Sequence, residues 1–242
     1  MREYKLEEIV DRHLAPGVVG SILVCHEQTL PLFRFHLLGP VSAARQFTIH
    51  VPDPTFSGRV TLRLGPGDGT ILLDGAGPIC VDIRMWRSSS VRVDKGTTIN
   101  GAIVVADHAD ICVGEDNLWS DDILIQSNDQ HGIIDLSTLQ LMKRSRRKVD
   151  IGRHVWLGRR CLIMPDIVVG DGSIVAAGTV VVKSVSRFVA VGGNPAQLIS
   201  ENRTWSRSPS GLGTGERALI DRIVGLPAKV GAPIPWTPAQ AS

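Results

Sequence analysis

Residues 149–185 read VDIGRHVWLGRRCLIMPDIVVGDGSIVAAGTVVVKSV. Large aliphatic residues occupy every sixth position of this stretch: Ile151, Leu157, Ile163, Val169, Val175 and Val181. A series of smaller or mixed residues runs two positions before them: Val149, Val155, Cys161, Ile167, Ser173, Thr179 and Val185. An α-helix repeats about every 3.6 residues and a strand about every 2, so a sustained period of six fits neither. The period predicts short strands joined by tight corners and stacked coil on coil as a parallel β-helix.

Small residues accompany the repeat. Glycine follows the aliphatic residue at Gly152, Gly158 and Gly170, and Ala176 takes this place later. We expect each aliphatic side chain to point into a narrow prism, and the small residue after it to let the chain turn without a Cβ clash. With 25 glycines, 43% hydrophobic residues and only 5% aromatic residues, the composition favours thin aliphatic layers over a core packed around rings.

Charge and cysteine content narrow the function classes. The net charge of +2 does not call for a nucleic-acid partner. The four cysteines are widely spread, without CxxC or zinc-like spacing. Reduced thiols and no recognisable signal peptide favour the cytoplasm. No apolar run is long enough to span a bilayer, so we expect no stable membrane insertion.

The chain divides into three predicted regions. Residues 1–57 lack the six-residue period and are interpreted as an N-terminal cap that begins with a helix over 3–14. Residues 58–199 form the β-helix, in which Val113, Trp119, Ile125 and His131 again stand six apart, so His131 falls at an inward position. Residues 135–148 interrupt the repeat, which predicts a loop thrown off the prism. Residues 200–242 form a C-terminal tail with a short helix over 216–224.

Two segments resemble a known family. The run from Val149 to Ile199 is similar to the C-terminal half of the left-handed β-helix (hexapeptide-repeat) acyltransferases. The segment VGEDNLWSDDILIQSNDQHGIIDLST, residues 113–138, resembles the branch that O-acetylates bacterial surface polysaccharides, including the polysialic acid O-acetyltransferases. The resemblance covers about residues 91–199. It implies an all-β fold, a left-handed parallel β-helix, since parallel connections are otherwise usually right-handed.

His131 is the predicted catalytic base. Acyl transfer from a thioester to a hydroxyl needs removal of the hydroxyl proton, a step that histidine suits. The family's histidine in this segment is the base, and His131 matches it. Asp129 or Asp135 could orient the imidazole, and spacing does not decide between them. The structural alternative is a histidine that fills the repeat beside a loop.

Trp156 is the second candidate, because it lies between two inward residues and must point out of the prism. An exposed Trp is costly unless a ligand or a second subunit covers it. In the polysialic acid branch the corresponding Trp lines the active site, and HVWLG matches that motif; an interface Trp without a catalytic part is the alternative. Trp119, in the inward series, is expected to be packing.

The donor site is expected at the end of the repeat, with acetyl-CoA as the donor and no metal. Gly178 and Lys183 lie one corner apart, and a flat glycine corner lets a pantetheine arm approach the backbone. Lys183 or Arg187 could meet phosphate groups, and Lys183 could equally be a solvated corner residue. The turn Gly193, Asn194 and Pro195 completes the expected site. The family typically reads GNPAK here, whereas this chain has Gln197, which puts the phosphate contacts in doubt.

Two further patterns concern partners and metals. The basic cluster from Lys143 to Lys148 lies in the loop beside His131 and could attract an anionic glycan or be a solvated loop. Zinc-dependent γ-type carbonic anhydrases share this fold but use a close histidine pair. His108, His131 and His154 are too widely spaced for that, and His154 is expected to be exposed at a corner.

Taken together, these features predict a homotrimer, implied by the family, with its sites between prisms. The predicted activity is O-acetyl transfer from acetyl-CoA to a sugar hydroxyl of a bacterial surface polysaccharide or its precursor. One alternative is an N-acetyltransferase acting on an amino sugar nucleotide. Another is a non-catalytic β-helix scaffold.

Overall fold

The computed structural model describes residues 1–75, 77–128, 131–142 and 145–225. The described residues contain two short α-helices, α1 (Leu6–Ile9) and α2 (Thr214–Gly225), and two 3₁₀ helices, Ala15–Gly17 and Glu27–Leu32. The other regular elements are strands. The strands in chain order are β1 (Arg2–Lys5), β2 (Ile22–Cys25), β3 (Phe33–Leu37), β4 (Arg45–His50), β5 (Ser57–Leu64), β6 (Gly67–Leu73), β7 (Pro78–Trp86), β8 (Ser89–Val93), β9 (Thr98–Asp107), β10 (Ala109–Val113), β11 (Leu118–Trp119), β12 (Ile123–Gln126), β13 (Ile134–Asp135), β14 (Gln140–Leu141), β15 (Arg147–Ile151), β16 (Trp156–Leu157), β17 (Leu162–Ile163), β18 (Val168–Val169), β19 (Ile174–Val175), β20 (Val180–Val181), β21 (Val189–Gly192) and β22 (Gln197–Glu201).

The strands form a three-sided parallel β-helix. Face A is the ladder β2-β4-β6-β8-β10-β15-β18. Face B carries β11, β16, β19 and β21, and face C carries β12, β17 and β20. The long strand β9 joins faces B and C, because it pairs with β11 at one end and with β12 at the other. Each coil visits A, B and C in turn, as the six-residue repeat predicts.

The repeat is confirmed in the C-terminal coils. Ile151 pairs with Val169, Leu157 with Val175, and Ile163 with Val181, so three hexapeptides make one complete coil. The inward aliphatic residues are fully or almost fully buried, and so are the residues of the second series. Together they form a single apolar column through the prism.

The corners turn by a different device from the one expected. Residues with left-handed backbone conformation recur every six positions: His154, Arg160, Asp166, Gly172 and Gly178. The glycines after the aliphatic residues serve vertical stacking instead. A Cβ on Gly170 would lie 2.5 Å from the backbone nitrogen of Arg187, in the next coil. The missing Cβ of Gly170 therefore avoids a clash with the next coil, and not a clash within its own turn.

The ladders begin earlier than the expected cap boundary. Strand β2 pairs in parallel with β4, β4 with β6, and β3 with β5, so the parallel pairing crosses residue 57. The coils between β4 and β10 are longer than three hexapeptides, so their inward residues do not recur at a six-residue period in the sequence. The helix expected over 3–14 is wrong: β1 pairs antiparallel with β2, and α1 has one turn.

The C-terminal segment packs against the prism. The helix expected over 216–224 is confirmed as α2, and Ile223 on it is buried. The rest of the predicted tail, residues 226–242, lies outside the described residues. Within the described ranges, no helix has the length and apolar character that a membrane crossing needs.

Candidate functional site

The chain leaves the prism between faces C and A, as predicted from the interruption of the repeat. Residues 131–142, here named the arm, are exposed throughout and contain the antiparallel pair β13 and β14. His131 lies at the start of the arm and is exposed. The inward position expected from the step of six is wrong, because the chain has departed from the coil after buried Asn128. His131 is therefore open to a substrate.

The return of the arm to the prism is clamped by an ion pair. Arg146 donates from Nε and Nη2 to the two carboxylate oxygens of Asp110, at 2.6 Å each, and from Nη1 to the backbone oxygen of Ser88 at 2.6 Å. Burial alone would raise the pKa of Asp110, but hydrogen bonds from Arg146 and Ser90 outweigh it and lower that pKa. These contacts, here named the clamp, hold the chain that follows the arm against the coils of residues 88–110.

Of the two candidate orienting carboxylates, Asp135 is among the described residues. Asp129 lies outside the described residues. Asp135 accepts from the backbone nitrogen and hydroxyl of Ser137 at 2.8 and 2.5 Å, and from the backbone nitrogen of Thr138 at 3.3 Å. The Ser137 hydroxyl and these backbone groups lower the pKa of Asp135. Asp135 thus shapes the turn of the arm, and its part in orienting His131 stays a prediction.

Trp156 points outward from face B and is 37% exposed, whereas Trp119, expected to be packing, is fully buried. Face B lies opposite the corner between faces C and A from which the arm departs. A single chain therefore does not bring His131 and Trp156 to one site. They could meet only if a second copy placed its face B beside the arm.

The expected donor residues lie together at the C-terminal end of the prism. Gly178 has φ +71°, and open space surrounds the place of a Cβ. The turn Gly193, Asn194 and Pro195 is exposed and lies over β20, since Val180 donates to the backbone oxygen of Gly193 at 3.0 Å. This arrangement leaves an accessible backbone corner, as a thin pantetheine arm would need.

The two cations proposed for phosphate contacts differ. Lys183 is exposed at the corner after β20. Arg187 lies 3.6 Å from the carboxylate of buried Asp171, donates to the backbone oxygen of Ile223 on α2, and lies over the ring of Phe188. Arg187 thus shares Asp171 with Arg153, whose Nη2 lies 2.8 Å from the same carboxylate, and is held by contacts within the chain. Lys183 is exposed and is the better placed of the two for a phosphate.

The basic cluster is less available than its sequence indicates. Lys143 and Arg144 lie outside the described residues. The other three cations each have a carboxylate partner: Arg146 with Asp110, Arg147 with Asp166, and Lys148 with Asp150. These pairs neutralise much of the local field that was expected to draw an anionic glycan.

His154 is not exposed, contrary to expectation. Its side chain is buried, with Nδ1 at 2.7 Å from the carboxylate of Asp116 and Nε2 at 3.0 Å from the backbone oxygen of Trp205. The two rings stack at 4.4 Å, and the indole of Trp205 donates to the backbone oxygen of His154. His154 anchors the C-terminal segment. In the described part of the chain, no group of three His, Cys, Asp or Glu residues is arranged to hold a metal.

Sequence reasoning missed a cavity at the foot of the arm. Its volume is about 680 Å³, and it is lined by Pro66, Trp86, Arg87, Asp107, Gly132, Leu141 and Met142. Trp86 pairs with Asp107 one coil later. An alignment of the longer coils with one another in the sequence would have placed these two corner residues together, whereas the six-residue period does not. The cavity adjoins Gly132, the neighbour of His131.

The sequence matches known proteins in part. Residues 148–183 match the family of bacterial transferase hexapeptide (six repeats). The chain is 33% identical over 128 residues to a polysialic acid O-acetyltransferase of Escherichia coli O1:K1 / APEC, covering 52% of this chain and 41% of that protein. A chloramphenicol acetyltransferase of Agrobacterium fabrum is 47% identical over 49 residues, 20% of this chain and 23% of that protein. The chain thus spans less than half the length of these curated relatives.

Solved structures share the fold over more of the chain. The polySia-specific acetyltransferase NeuO superposes with a TM-score of 0.69 at 24% identity, over 84% of this chain and 94% of that one. The polysialic acid O-acetyltransferase OatWY gives 0.55 at 17% identity, over 84% and 95%. The chain therefore carries bacterial transferase hexapeptide repeats, resembles a polysialic acid O-acetyltransferase in sequence, and has a left-handed parallel β-helix fold.

Proposed function

We propose that the protein is an O-acetyltransferase that moves an acetyl group from acetyl-CoA to a sugar hydroxyl of a bacterial surface polysaccharide or its precursor. The observation that carries the proposal is the exposed His131, which stands at the start of an arm that leaves the prism, beside a cavity of about 680 Å³. The sequence likeness to a polysialic acid O-acetyltransferase supports the same chemistry.

In the proposed reaction His131 accepts the proton of the acceptor hydroxyl as the oxygen attacks the thioester carbonyl. The carbon–sulfur bond then breaks, and CoA leaves as the thiol after taking up a proton. We favour direct transfer over an acyl-cysteine intermediate. Cys161, the cysteine inside the hexapeptide repeats, is buried, and burial raises the pKa of its thiol, so it is a poor nucleophile.

The site is proposed to lie between copies of the chain in a homotrimer. Faces B and C carry outward apolar ladders that meet at a shared corner: Leu118, Trp156, Ile174 and Ala190 on face B, and Ile103, Leu124, Leu162 and Val180 on face C. The arm adds exposed apolar side chains, including Leu136 and Leu139. Packing face C of one copy on face B of the next covers these ladders and brings the arm with His131 towards the neighbour's Trp156.

The donor is proposed to lie along the C-terminal corner formed by Gly178 and the turn from Gly193 to Pro195, with Lys183 near a phosphate. The proposed location is the cytoplasm, where acetyl-CoA is made. Cys25, Cys80 and Cys161 are free thiols, which agrees with a reducing compartment.

The activity is tested by the release of CoA thiol from acetyl-CoA in the presence of a panel of acceptors. We expect release only with a glycan and ester-linked acetyl in the product. Amide-linked acetyl on an amino sugar nucleotide would make the protein an N-acetyltransferase instead. No acceptor-dependent release with any glycan would contradict the enzyme and favour a scaffold.

The shared site is tested by mixing two impaired variants. His131→Ala and Trp156→Ala subunits, coexpressed and purified together, would contain some sites with an intact His131 from one copy and an intact Trp156 from the next. We expect partial recovery of activity relative to each variant alone. If the activity of the mixed protein does not exceed the sum of the activities of the two variants, the proposed shared site is wrong. Either both residues then act in one subunit's site, or Trp156 takes no part in the site.

A further inference from the structure

The arm begins just after the ladder of face C ends. The last backbone pair between β9 and β12 joins Val105 to Gln126, and Ser127 still donates to the backbone oxygen of Val105 at 3.1 Å. Beyond this point the chain leaves the coil towards His131, the first residue of the arm. The backbone at the departure therefore has to be held by bonds other than those of the ladder.

Two buried side chains supply these bonds. The Ser127 hydroxyl accepts from the backbone nitrogen of Asp107 at 3.1 Å, and Asn128 donates from Nδ2 to the backbone oxygen of Asp107 at 3.2 Å. Ser127 is fully buried, and Asn128 is 7% exposed. Gln126 also donates from its amide nitrogen to the backbone oxygen of Asn128. Both backbone groups of Asp107 are thus bound by the residues from which the arm departs.

Asp107 is itself held firmly in the preceding coil. Nε and Nη2 of Arg87 donate to the two oxygens of its buried carboxylate, at 2.6 and 2.5 Å. His108, the next residue, accepts from the backbone nitrogen of Arg147 at 3.0 Å, where the returning chain enters β15. The departure and the return of the arm are therefore tied to neighbouring residues of one coil.

His131 lies much closer along the chain to the departure than to the return. It follows Asn128 by three positions and precedes Arg146, the cation of the clamp, by fifteen. Among the described residues, none forms a hydrogen bond with the His131 ring. The place of this ring therefore depends on the backbone that carries it, and Asn128 is the nearest described residue that is fixed to the prism.

We propose that Asn128, together with Ser127, is a positioning residue for His131: it fixes the backbone where the arm departs and thereby holds the imidazole at the acceptor hydroxyl. The proposal rests on the proposed O-acetyl transfer, in which His131 is the base. A displacement of about 1 Å can lower a rate about 100-fold, so a buried side chain away from the acceptor can still control kcat. The alternative is that both side chains only complete the hydrogen bonding of a buried corner.

A double-mutant cycle separates the two roles. Asn128→Ala should lower kcat for acceptor-dependent thiol release about 10–100-fold and leave KM for acetyl-CoA unchanged. In a His131→Ala background the same exchange should cause no further loss, because a positioning residue acts only through the base. Ser127→Ala should follow the same pattern, and it is the second variant if Asn128→Ala does not fold.

The matched control is Thr97→Ala. The Thr97 hydroxyl is buried and accepts from the backbone nitrogen of Asn117, in the next coil, at 3.3 Å. It makes the same kind of bond as Ser127, but at the corner between faces A and B, away from the arm. Thr97→Ala should therefore keep the kcat of its parent in both backgrounds.

Nuclear magnetic resonance relaxation of the His131 ring gives a readout that needs no activity, since its signal is the one missing from His131→Ala. We expect a more mobile ring in Asn128→Ala and an unchanged one in Thr97→Ala. An unchanged ring in Asn128→Ala would overturn the positioning role, and so would an equal loss of kcat in both backgrounds. A wild type without acceptor-dependent release would instead contradict the proposed function. A more mobile ring in Asn128→Ala would then still support the anchoring of the arm, and an unchanged ring would overturn that as well.

Discussion

The coils from 147 to 181 and the coils from 45 to 107 build the same prism by different rules. The C-terminal coils each consist of three hexapeptides with short strands, and a left-handed corner residue recurs at every sixth position. The earlier coils are longer and contain longer strands, such as β7 and β9, so their corners fall at irregular places. Both halves bury one continuous apolar column.

The difference shows where a β-helix can carry chemistry. In the coils with a strict six-residue period, nearly every residue is needed either for close stacking of the coils, as Gly170 is, or for a corner, as Asp166 is. Extra residues in the longer coils allow a corner such as Trp86–Arg87 to project, and the arm inserts between the two kinds of coil. The residues proposed to act on the acceptor therefore lie where the repeat is broken.

The largest expected effect comes from the broken region. Changing His131→Ala removes the proposed base and should lower kcat about 10²–10⁴-fold. The fold should be unaffected, because the side chain is exposed on the arm. Rates of acceptor-dependent thiol release measure the effect.

The control for this change is His36→Ala, another exposed histidine, located on β3 far from the arm in sequence. It should keep the wild-type rate. A folded His131→Ala protein with undiminished kcat would show that the arm does not supply the base.

The next effect comes from the regular region. Leu157→Ala removes a fully buried side chain from the apolar column and should lower the free energy of unfolding by about 2–5 kcal/mol. Val19→Ala, outside the arm and the outward ladders, where the side chain is 64% exposed, should change it by less than about 0.5 kcal/mol. Denaturant unfolding of both variants checks the contrast, and equal losses would contradict it.

A smaller effect on stability is expected where a glycine allows two coils to stack closely. Gly170→Ala should destabilise by about 1–3 kcal/mol, because its Cβ would lie 2.5–2.6 Å from backbone atoms of the next coil, which must shift. Gly211→Ala, in the C-terminal segment with open space around it, should be close to neutral. Thermal unfolding compares the two. A harmless Gly170→Ala would mean that the coils are not packed this closely.

The smallest effect concerns the clamp at the foot of the arm. The Arg146–Asp110 ion pair contributes fully to folding stability at pH values above 3.8, the ordinary pKa of an Asp carboxyl group. This contribution is lost as the pH falls through the lowered pKa of Asp110. Arg146→Gln should cost about 1 kcal/mol at neutral pH, a modest value because Arg146 is partly solvated. The difference from the wild type should shrink in acid. Unfolding at several pH values measures it, and a constant difference would argue against the ion pair.

Much of the fold was predictable, because a side chain that must point inward at every sixth position leaves a direct trace. Ile151, Trp119 and the departure of the arm were all placed correctly. The coils before residue 57 were not recognised, since longer strands change the period without changing the architecture. His154 was misplaced because spacing locates a corner but does not reveal that Trp205, far along the chain, covers it.

The candidate site was predictable only in part. The motif around His131 identified a candidate base, but its exposure depends on the chain leaving the coil. The partners of Arg147 and Arg187 lie in neighbouring coils and on α2, which sequence order does not reveal, whereas Asp135 is bound by Ser137 and Thr138 close to it in sequence.

By itself, the sequence determined the period, and with it the stacked coil, because inward packing repeats with the geometry of one side of the prism. Only the tertiary structure decided which corners lie over one another. That stacking joins Trp86, Arg87 and Asp107 below the arm and places Trp156 on the opposite face. The physical reason is that contacts between coils depend on the accumulated length of every intervening turn, which no local pattern records.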